Sequence, residues 1–331
     1  WFRMDQRIAI DDFSDDPAWR ARCTPAERWR STNHLLGPGY WAWLIPLASG
    51  AHSVGIVADA AMHPLEGMRD FERAMAWLHV RQPVLAQALE PHRNALMDFR
   101  FLRNYSYSCK QIFSADRWAM TGEAGSFLDP FYSPGSDFIS INNTYITALI
   151  RHDRGGQALA PYAHFYQKLF FSFYDNTLNL FRDQYPLFGN AEVLSIKVVW
   201  DYAYYWGVLC QLVFQHRLTD LNLLGAVRED LERAQALNAR MQPLFRQWHA
   251  ASAGRNPAVF LDQCQLDWFM TINHGLHDKL DDSGLIARIA DHVEQLEALA
   301  DTITLRAALA DPGLRAPTSG RPLKPLFAVA D

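Results

Sequence analysis

Cysteine is scarce in this sequence, and its distribution excludes two kinds of protein. The four cysteines lie far apart and include no Cys-x-x-Cys pair. A small domain held by disulfides has a higher cysteine density, and a structural zinc site needs closely spaced ligands. His274 and His277 are close enough to share a helix face, but no third ligand accompanies them. We therefore predict reduced thiols, a cytoplasmic location and no metal site.

The sequence also lacks basic clusters and long apolar runs. Its formal net charge is −5, and no segment is rich in lysine and arginine, which argues against a nucleic-acid partner or an anionic membrane surface. No apolar stretch reaches the roughly 18 residues of a membrane-spanning helix, and no signal peptide is recognisable. Because 49% of the 331 residues are hydrophobic, the chain can bury a substantial core.

A dinucleotide-binding fingerprint is missing as well. The segment GPGYWA, residues 37–42, fits the pattern GxGxxG/A. The fingerprint, however, requires a strand before the glycines and a helix after them, whose N-terminus faces the pyrophosphate. Here the glycines lead into a β-prone run. We interpret this segment as a turn, and the pattern does not recur in the chain.

The first third of the chain has the composition of short strands. Residues 40–47 and 52–58 are two β-prone runs joined by a small Ser-Gly turn, which is typical of a hairpin. Apolar spacing predicts a helix over residues 64–89 with a break at Pro83, and alternation predicts a strand over residues 98–107. We assign residues 1–118 to a mixed or antiparallel sheet on the substrate side, in an α+β fold.

The second half of the chain is predicted to be mainly helical. Apolar residues recur every three or four positions over residues 227–248 and 285–303, as in amphipathic helices, so residues 151–331 form the predicted helical region. The tail from Asp311, rich in proline, glycine and arginine, is predicted to be loose. The aromatic stretch at residues 200–206 is interpreted as a buried helix in preference to a partner-binding surface.

A turn-rich segment, residues 119–150, separates these regions. A strand is predicted to end at Thr121, and the glycines that follow, Gly122 and Gly125, leave room for a ligand to approach the backbone. Glu123 places a carboxylate where it can accept hydrogen bonds from ligand hydroxyl groups. This segment is the candidate ligand-binding corner of the chain.

The end of the corner has the pattern of a helix start. Ser133 and Pro134 match an N-cap followed by proline at the first helical position, with a helix expected to reach about Ile150. The positive end of that helix would face the ligand and stabilise an anionic ring, such as a reduced flavin, by on the order of 1 kcal/mol. The residues alone leave two alternatives, a ligand site or an elaborate strand–loop–helix corner.

Two motifs together carry a family resemblance. The corner sequence GEAGSFLDPFYSPG resembles the C-terminal flavin-contacting motif of FAD-dependent monooxygenases and halogenases. The segment WAWLIP, which begins at Trp41, matches the WxWxIP signature of flavin-dependent (tryptophan) halogenases at each fixed position. Both motifs occur in family order, so the chain resembles the C-terminal portion of such an oxidoreductase, without the N-terminal Rossmann fingerprint.

The resemblance implies FAD as the cofactor and assigns three groups of residues around it. The ribityl and phosphate portion would meet Gly122, Glu123 and Ala124, the isoalloxazine ring would meet Asp129, Pro130, Ser133, Pro134 and Gly135, and the passage between flavin and substrate would be lined by Trp41, Trp43, Ile45 and Pro46. Residues 119–150 would close the flavin site. The resemblance identifies no catalytic residue within the chain.

The implied chemistry uses reduced flavin and oxygen on an aromatic or carrier-bound substrate, with a separate flavin reductase as a further partner. In halogenases the oxidising power passes to bound halide, and a lysine directs the product to the substrate. That lysine precedes the WxWxIP region in the family, so we expect the 331-residue chain alone to be inactive.

Two departures from the family pattern keep the reaction open. Glu123 stands where the family has aspartate, and it remains a hydrogen-bond acceptor. Pro134 lacks the N–H group that would contribute to a halide site, whereas WxWxIP favours a halogenase. Halogenation and oxygenation are therefore both retained. An alternative of another class is a non-catalytic helical interaction protein that keeps a relic of the flavin corner.

Overall fold

The structure, a computed structural model, describes residues 1–252 and 260–314. These residues divide into two units: unit 1 comprises residues 1–104 and 185–190, and unit 2 comprises the remaining described residues. The predicted loose tail lies outside the described residues from position 315 onward. Within the described ranges, no helix has the length and apolar character needed to cross a membrane.

Unit 1 is built on one antiparallel sheet of five strands. The strand order is β2-β3-β4-β1-β5, and neighbouring strands run in opposite directions. The strands are β1 Phe2–Met4, β2 Asn33–Gly37, β3 Tyr40–Pro46, β4 His52–Ala58 and β5 Leu96–Phe99. This sheet, together with the helices of both units, confirms the α+β prediction and its antiparallel strands.

The predicted hairpin is strands β3 and β4. Their register places Trp43 opposite Gly55, and a Cβ atom at Gly55 would lie 2.1 Å from the Trp43 ring. Glycine is therefore required there because the indole occupies the side-chain position. The GPGYWA segment forms the turn between β2 and β3, with Gly39 at a φ of 81°, which confirms that it is not a strand–helix fingerprint.

Three helices cover unit 1: α1 Pro17–Ala21, α2 Phe71–Arg81 and α3 Pro83–Leu89. The predicted helix over residues 64–89 is interrupted at Gln82, because proline at position 83 disfavours helical backbone in the residue before it. The prediction of a strand through Tyr107 is wrong beyond Phe99. The last strand pairs only with the three-residue β1, so its ladder has no further partner.

Unit 2 is helical, as the apolar periodicity predicts. Its α-helices are α4 Pro134–Arg154, α5 Leu159–Asn179, α6 Ala191–Tyr204, α7 Cys210–Phe214, α8 Leu221–Ala226, α9 Arg228–Ala251, α10 Asp267–His274 and α11 Asp282–Ala307. A π-helical turn, Tyr205–Leu209, joins α6 to α7. Such turns insert one extra residue into a helix and often accompany functional sites.

Aromatic side chains fill the core of unit 2. The ring of Phe138 on α4 lies 5.7 Å from that of Phe170 and 5.5 Å from that of Phe173, both on α5, in edge-to-face contacts. The aromatic stretch at residues 200–206 spans the end of α6 and the start of the π turn, and none of its residues is exposed. Trp200 is fully buried, in agreement with the buried-helix interpretation.

The sheet of unit 1 contains a histidine whose charge opposes folding. The ring of His34 lies 4.9 Å from that of Trp41, and burial lowers the pKa of His34 to about 4. An unfolded histidine titrates near pH 6.5, so between these two values the unfolded chain binds more protons, and stability falls as the pH falls.

Titration of His34 is therefore expected to cost wild type about 2 kcal/mol of its free energy of unfolding between about pH 7 and about pH 4.5. His34→Gln is expected to abolish this part of the pH-dependent loss. Urea unfolding followed by tryptophan fluorescence at both pH values measures this loss. His164→Gln, which changes an exposed side chain of α5, serves as the control. Parallel losses in wild type and His34→Gln would contradict the assignment.

Candidate functional site

The residues assigned to the flavin and those assigned to the substrate passage fall in different units. The corner residues from Gly122 to Gly135 belong to unit 2, and Trp41, Trp43, Ile45 and Pro46 belong to strand β3 of unit 1. Their joint action around one flavin stays a prediction.

The first part of the corner is a tight turn followed by a 3-10 turn. The N–H of Ser114 donates to the carbonyl of Trp118 at 3.1 Å, and that of Met120 to Ile112 at 2.9 Å. Because these few residues pair only with one another, the predicted strand ending at Thr121 is reduced to one isolated bridge, and that prediction is wrong. The 3-10 turn Gly122–Ala124 follows directly.

The space beside the first two glycines is occupied by the protein itself. A Cβ atom at Gly122 would lie 2.5 Å from Cγ1 of Ile139 on α4, and one at Gly125 would lie 2.9 Å from Cδ1 of Ile112. The expectation that both glycines leave room for a ligand is therefore wrong, because isoleucine side chains occupy the space beside them. They allow the turn to pack closely on the helix and on its own preceding segment.

The second part of the corner is organised by Asp129. Its Oδ1 accepts the N–H of Phe131 at 2.9 Å, and its Oδ2 accepts the hydroxyl of Tyr105 at 3.4 Å. This buried carboxylate caps the 3-10 turn Pro130–Tyr132. A contact between Asp129 and a ligand would therefore have to spare these hydrogen bonds.

Ser133 connects that turn to helix α4 in an unexpected conformation. Its φ of 56° and ψ of 39° are left-handed, and its side chain makes no capping hydrogen bond. The prediction of an ordinary N-cap is therefore wrong, although the helix does begin at Pro134 as expected. The helix continues past Ile150 to Arg154, and the exposed hydroxyl of Ser133 is not used by the helix end.

One edge of the corner is open to a ligand. Glu123, Ala124, Ser133 and Ser136 are exposed. A Cβ atom at Gly135 would meet a single neighbouring atom, 3.9 Å away, so the space beside this glycine is not filled by the protein. The first N–H groups of an α-helix lack intrahelical acceptors, which makes the start of α4 a suitable place for a carbonyl or anionic group.

Sequence reasoning missed the polar residues that lie behind this corner. Lys197, Asp201 and Tyr205 are spaced four residues apart along α6 and the π turn, within an otherwise apolar run. Oδ2 of Asp201 accepts the hydroxyl of Tyr132 at 2.7 Å and also a hydrogen bond from Nζ of Lys197. The visible signal was a lysine and an aspartate at i, i+4 inside an apolar helix, where unpaired charges are rarely found.

The Lys197–Asp201 pair is almost completely buried. The two side chains are 1% and 2% exposed, and Oδ1 of Asp201 accepts a further hydrogen bond from Nε2 of Gln242 at 2.8 Å. Burial lowers the pKa of Lys197, and the neighbouring carboxylate opposes that shift. Burial, followed by the charge of Asp201, raises the pKa of Tyr132 well above its usual value. The phenol is therefore a neutral hydrogen-bond donor.

A second contact joins the π turn to the first turns of α4. The hydroxyl of Tyr205 donates to Oδ1 of Asp137 at 2.8 Å, and burial raises the pKa of Asp137. The π turn is itself held by α11, because Nδ1 of His292 lies 2.9 Å from the carbonyl oxygen of Gly207. This contact stabilises the π turn directly after Tyr205.

In unit 1 the two tryptophans of the WxWxIP motif lie on one face of strand β3. Nε1 of Trp41 donates to the hydroxyl of Tyr185 at 3.1 Å, and Nε1 of Trp43 donates to that of Ser53 at 3.0 Å. Their rings are 5.4 Å apart. Trp41 is buried, whereas Trp43, together with the next members of the motif, Ile45 and Pro46, is only half-buried.

No group of three histidine, cysteine, aspartate or glutamate side chains that could hold a metal ion occurs in residues 1–252 and 260–314. Of the carboxylates in the corner, Asp129 and Asp137 accept hydrogen bonds from described residues. Glu123 has no hydrogen bond or ion pair from its carboxylate to another described residue, and it is exposed.

Gly122→Ala is expected to destabilise unit 2 by about 2–3 kcal/mol, because the methyl group would overlap Ile139 and the φ of 53° is unfavourable for alanine. In an Ile139→Ala background the overlap disappears, and a cost of about 1 kcal/mol from the backbone remains. Urea unfolding measures both values. Gly225→Ala, which has open surroundings, is the control, and equal losses in the two backgrounds would contradict the packing argument.

Comparison with known proteins shows what this chain is similar to. No protein-family model matches the sequence. The flavin-dependent halogenase chlA of Dictyostelium discoideum is 25% identical over 214 residues, which is 60% of this chain and 35% of that protein. A 1H-pyrrole-2-carbonyl-[peptidyl-carrier protein] brominase of Pseudoalteromonas luteoviolacea is 27% identical over 100 residues, 30% of this chain and 24% of that protein.

Among solved structures, that of halogenase PltM has a similar fold. It matches with a TM-score of 0.52 at 17% identity, over 90% of this chain and 57% of that chain. The matched regions thus span less than two thirds of these relatives. The chain is thus similar to flavin-dependent halogenases in sequence and to a halogenase in fold, which supports a flavin-dependent halogenase-like protein.

Proposed function

We propose that this chain belongs to an FAD-dependent oxidoreductase that uses reduced flavin and oxygen to modify an aromatic substrate. The observation that carries the proposal is the open edge at Gly135, where the start of helix α4 presents backbone donors beside space that the protein does not fill. The curated relatives support the flavin, since chlA is a flavin-dependent halogenase.

The residues of the open edge fit a flavin in type and placement. The N–H groups of Gly135 and Ser136, in the first turn of α4, would donate to a carbonyl oxygen of the isoalloxazine ring, and the helix dipole would favour its anionic reduced form by about 1 kcal/mol. The free carboxylate of Glu123 would accept hydrogen bonds from ribityl hydroxyl groups. FAD would supply the electrons that activate oxygen.

The donor count of the corner bears on the choice between halogenation and oxygenation. The N–H of Ser133 already donates to the carbonyl of Pro130 at 3.0 Å, and Pro134 has no N–H group. Two successive backbone donors are therefore withdrawn from an anion at this position. Halogenation is supported by the relatives, and this local geometry supports oxygenation as the second candidate reaction.

The substrate class follows from the relatives and from unit 1. The brominase is named for a pyrrole carbonyl group held on a peptidyl carrier protein, so an aromatic substrate, free or carrier-bound, is proposed. The half-buried ring of Trp43 and the neighbouring Ile45 and Pro46 are the proposed apolar lining on the substrate side. A separate flavin reductase is the proposed source of reduced flavin.

The alternative, a non-catalytic helical interaction protein, is less well supported. Its basis in the sequence was the missing Rossmann fingerprint and the helical region, whose aromatic stretch at residues 200–206 could bind a partner. No residue of that stretch is exposed in the described structure. The stretch instead supplies Asp201 and Tyr205, whose hydrogen bonds hold the corner. A surface for another protein is thus absent at the place where the sequence suggested one.

FAD is expected to bind the 331-residue chain saturably, with quenching of flavin fluorescence, and Gly135→Leu is expected to weaken this binding by at least about tenfold. The leucine side chain would fill space that the protein leaves open, and a tenfold loss corresponds to about 1.4 kcal/mol. Isothermal titration and flavin fluorescence measure the affinity. Gly225→Leu, in the open surroundings of α8, is the matched control.

Failure of the unaltered chain to bind FAD would overturn the proposal that this corner holds flavin. Equal affinities of wild type and Gly135→Leu would show that flavin binds elsewhere.

Pro134→Ala is expected to increase bromide affinity of the FAD-loaded chain about tenfold, because it restores one N–H donor to the start of α4, and such a donor contributes about 1–3 kcal/mol to a buried charged acceptor. Bromide titration followed by the flavin absorbance spectrum measures the effect. Pro161→Ala, which removes an exposed proline from the first turn of α5, is the control. An unchanged bromide affinity in Pro134→Ala would remove the donor-count argument against halogenation.

A further inference from the structure

We propose that Asp201, paired with Lys197, is a positioning residue for the flavin-contacting turn, residues 133–136. The inference rests on the proposed function, since it assigns a role to the elements behind the same corner. Both residues belong to the helical half of the chain and lie outside the two motifs. Three features support the role: the way the turn is held, the few contacts it makes by itself, and the complete commitment of the carboxylate.

The turn is fixed at both of its ends by the same helical segment. On one side, the hydroxyl of Tyr132 donates to Oδ2 of Asp201 at 2.7 Å. On the other side, Oδ1 of Asp137 accepts the hydroxyl of Tyr205 at 2.8 Å. Asp201 and Tyr205 are four residues apart, so one face of the segment that includes α6 and the π turn holds the residues that flank the turn.

Apart from the buried Pro134, the turn has few side-chain contacts of its own. Ser133 is exposed, has a left-handed backbone and makes no capping hydrogen bond with its side chain. Gly135 has a single neighbouring atom near its missing Cβ position, and Ser136 is exposed. A non-glycine residue with positive φ is retained only where the surroundings determine it strongly. The two flanking anchors supply that determination.

The carboxylate of Asp201 is saturated with donors from three directions. Lys197 and Tyr132 both donate to Oδ2, and Gln242 donates to Oδ1 at 2.8 Å. The ammonium group of Lys197 pairs with the buried carboxylate, and a buried charge is costly unless it is both paired and hydrogen-bonded. Lys197 thereby supports the carboxylate that accepts the hydrogen bond from Tyr132.

This arrangement assigns positioning, and not proton transfer, to Tyr132. The phenol proton is donated to Asp201, so the hydroxyl cannot donate it to a ligand while this hydrogen bond is intact. A buried ion pair could also be retained for overall stability alone, although such pairs are often no more stable than apolar replacements. The two roles differ in what Tyr132→Phe changes.

Hydrogen-exchange mass spectrometry of the 331-residue chain separates these roles. Tyr132→Phe is expected to accelerate amide exchange at Ser133, Asp137 and Phe138 about tenfold, in line with the loss of one hydrogen bond to a charged group, and to leave exchange in α9 and α11 unchanged. The control is Tyr204→Phe, three residues from Asp201, whose hydroxyl lies 3.5 Å from Oδ1 of Asn176. Exchange at the turn that equals that of wild type would overturn the proposal.

A charge-neutral pair of substitutions tests the part played by Lys197. Lys197→Met alone leaves a buried carboxylate and is expected to accelerate exchange at the turn or to prevent folding. Lys197→Met combined with Asp201→Asn removes both charges and keeps an amide oxygen that can accept from Tyr132. The double variant is expected to exchange at the turn within about threefold of wild type, since the anchor is restored. If the double variant exchanges at the turn as fast as Tyr132→Phe, the proposed role of residue 201 as the acceptor of the Tyr132 hydrogen bond is overturned.

FAD titration of the same variants connects the anchor to the flavin. If wild type binds FAD, Tyr132→Phe is expected to weaken binding about tenfold and Tyr204→Phe to leave it unchanged. Equal FAD affinity in Tyr132→Phe, despite faster exchange at the turn, would overturn the positioning role. If wild type does not bind FAD, the proposed function fails, and the exchange data still decide whether Asp201 holds the turn.

Discussion

The corner of unit 2 depends on a buried ion pair, Lys197 with Asp201, and on the phenol of Tyr132 that shares the same carboxylate oxygen. The desolvation of two opposite charges in a protein interior is costly, and the cost is offset only when good hydrogen bonds satisfy both groups. Asp201 meets this requirement with three donors. The result is a fixed point in the helical core from which the surface turn at Ser133 is held.

The π-helical turn after α6 extends this arrangement by one more contact. The extra residue lies after Tyr205, whose carbonyl oxygen accepts the N–H of Cys210, so it rotates by about 100° only the side chains that follow. His292 satisfies the carbonyl oxygen of Gly207 at the same place. Tyr132 and Asp137, which flank the turn at residues 133–136, are hydrogen-bonded to one continuous helical segment, and Ser136 between them is exposed.

The glycines of the corner divide into two roles that sequence alone does not separate. Gly122 and Gly125 allow close packing against Ile139 and Ile112, whereas the space beside Gly135 is open. The corner therefore combines a tightly packed base with one accessible edge. This combination is consistent with the proposed role of the corner, in which a planar cofactor would meet backbone donors beside the exposed carboxylate of Glu123.

Local sequence was sufficient for the parts of the protein that short-range chemistry determines. The β-prone runs joined by a Ser-Gly turn specified the β3–β4 hairpin, Pro134 marked the start of α4, and apolar periodicity specified α9 and α11. The two motifs, read as amino-acid patterns alone, also indicated the family. Tertiary structure decided the rest, because the deciding contacts join distant residues, as with Asp201, which is 69 positions from Tyr132. The left-handed backbone of Ser133 has the same origin, since hydrogen bonds from the helical core hold the flanks of a turn whose own sequence favours an ordinary N-cap.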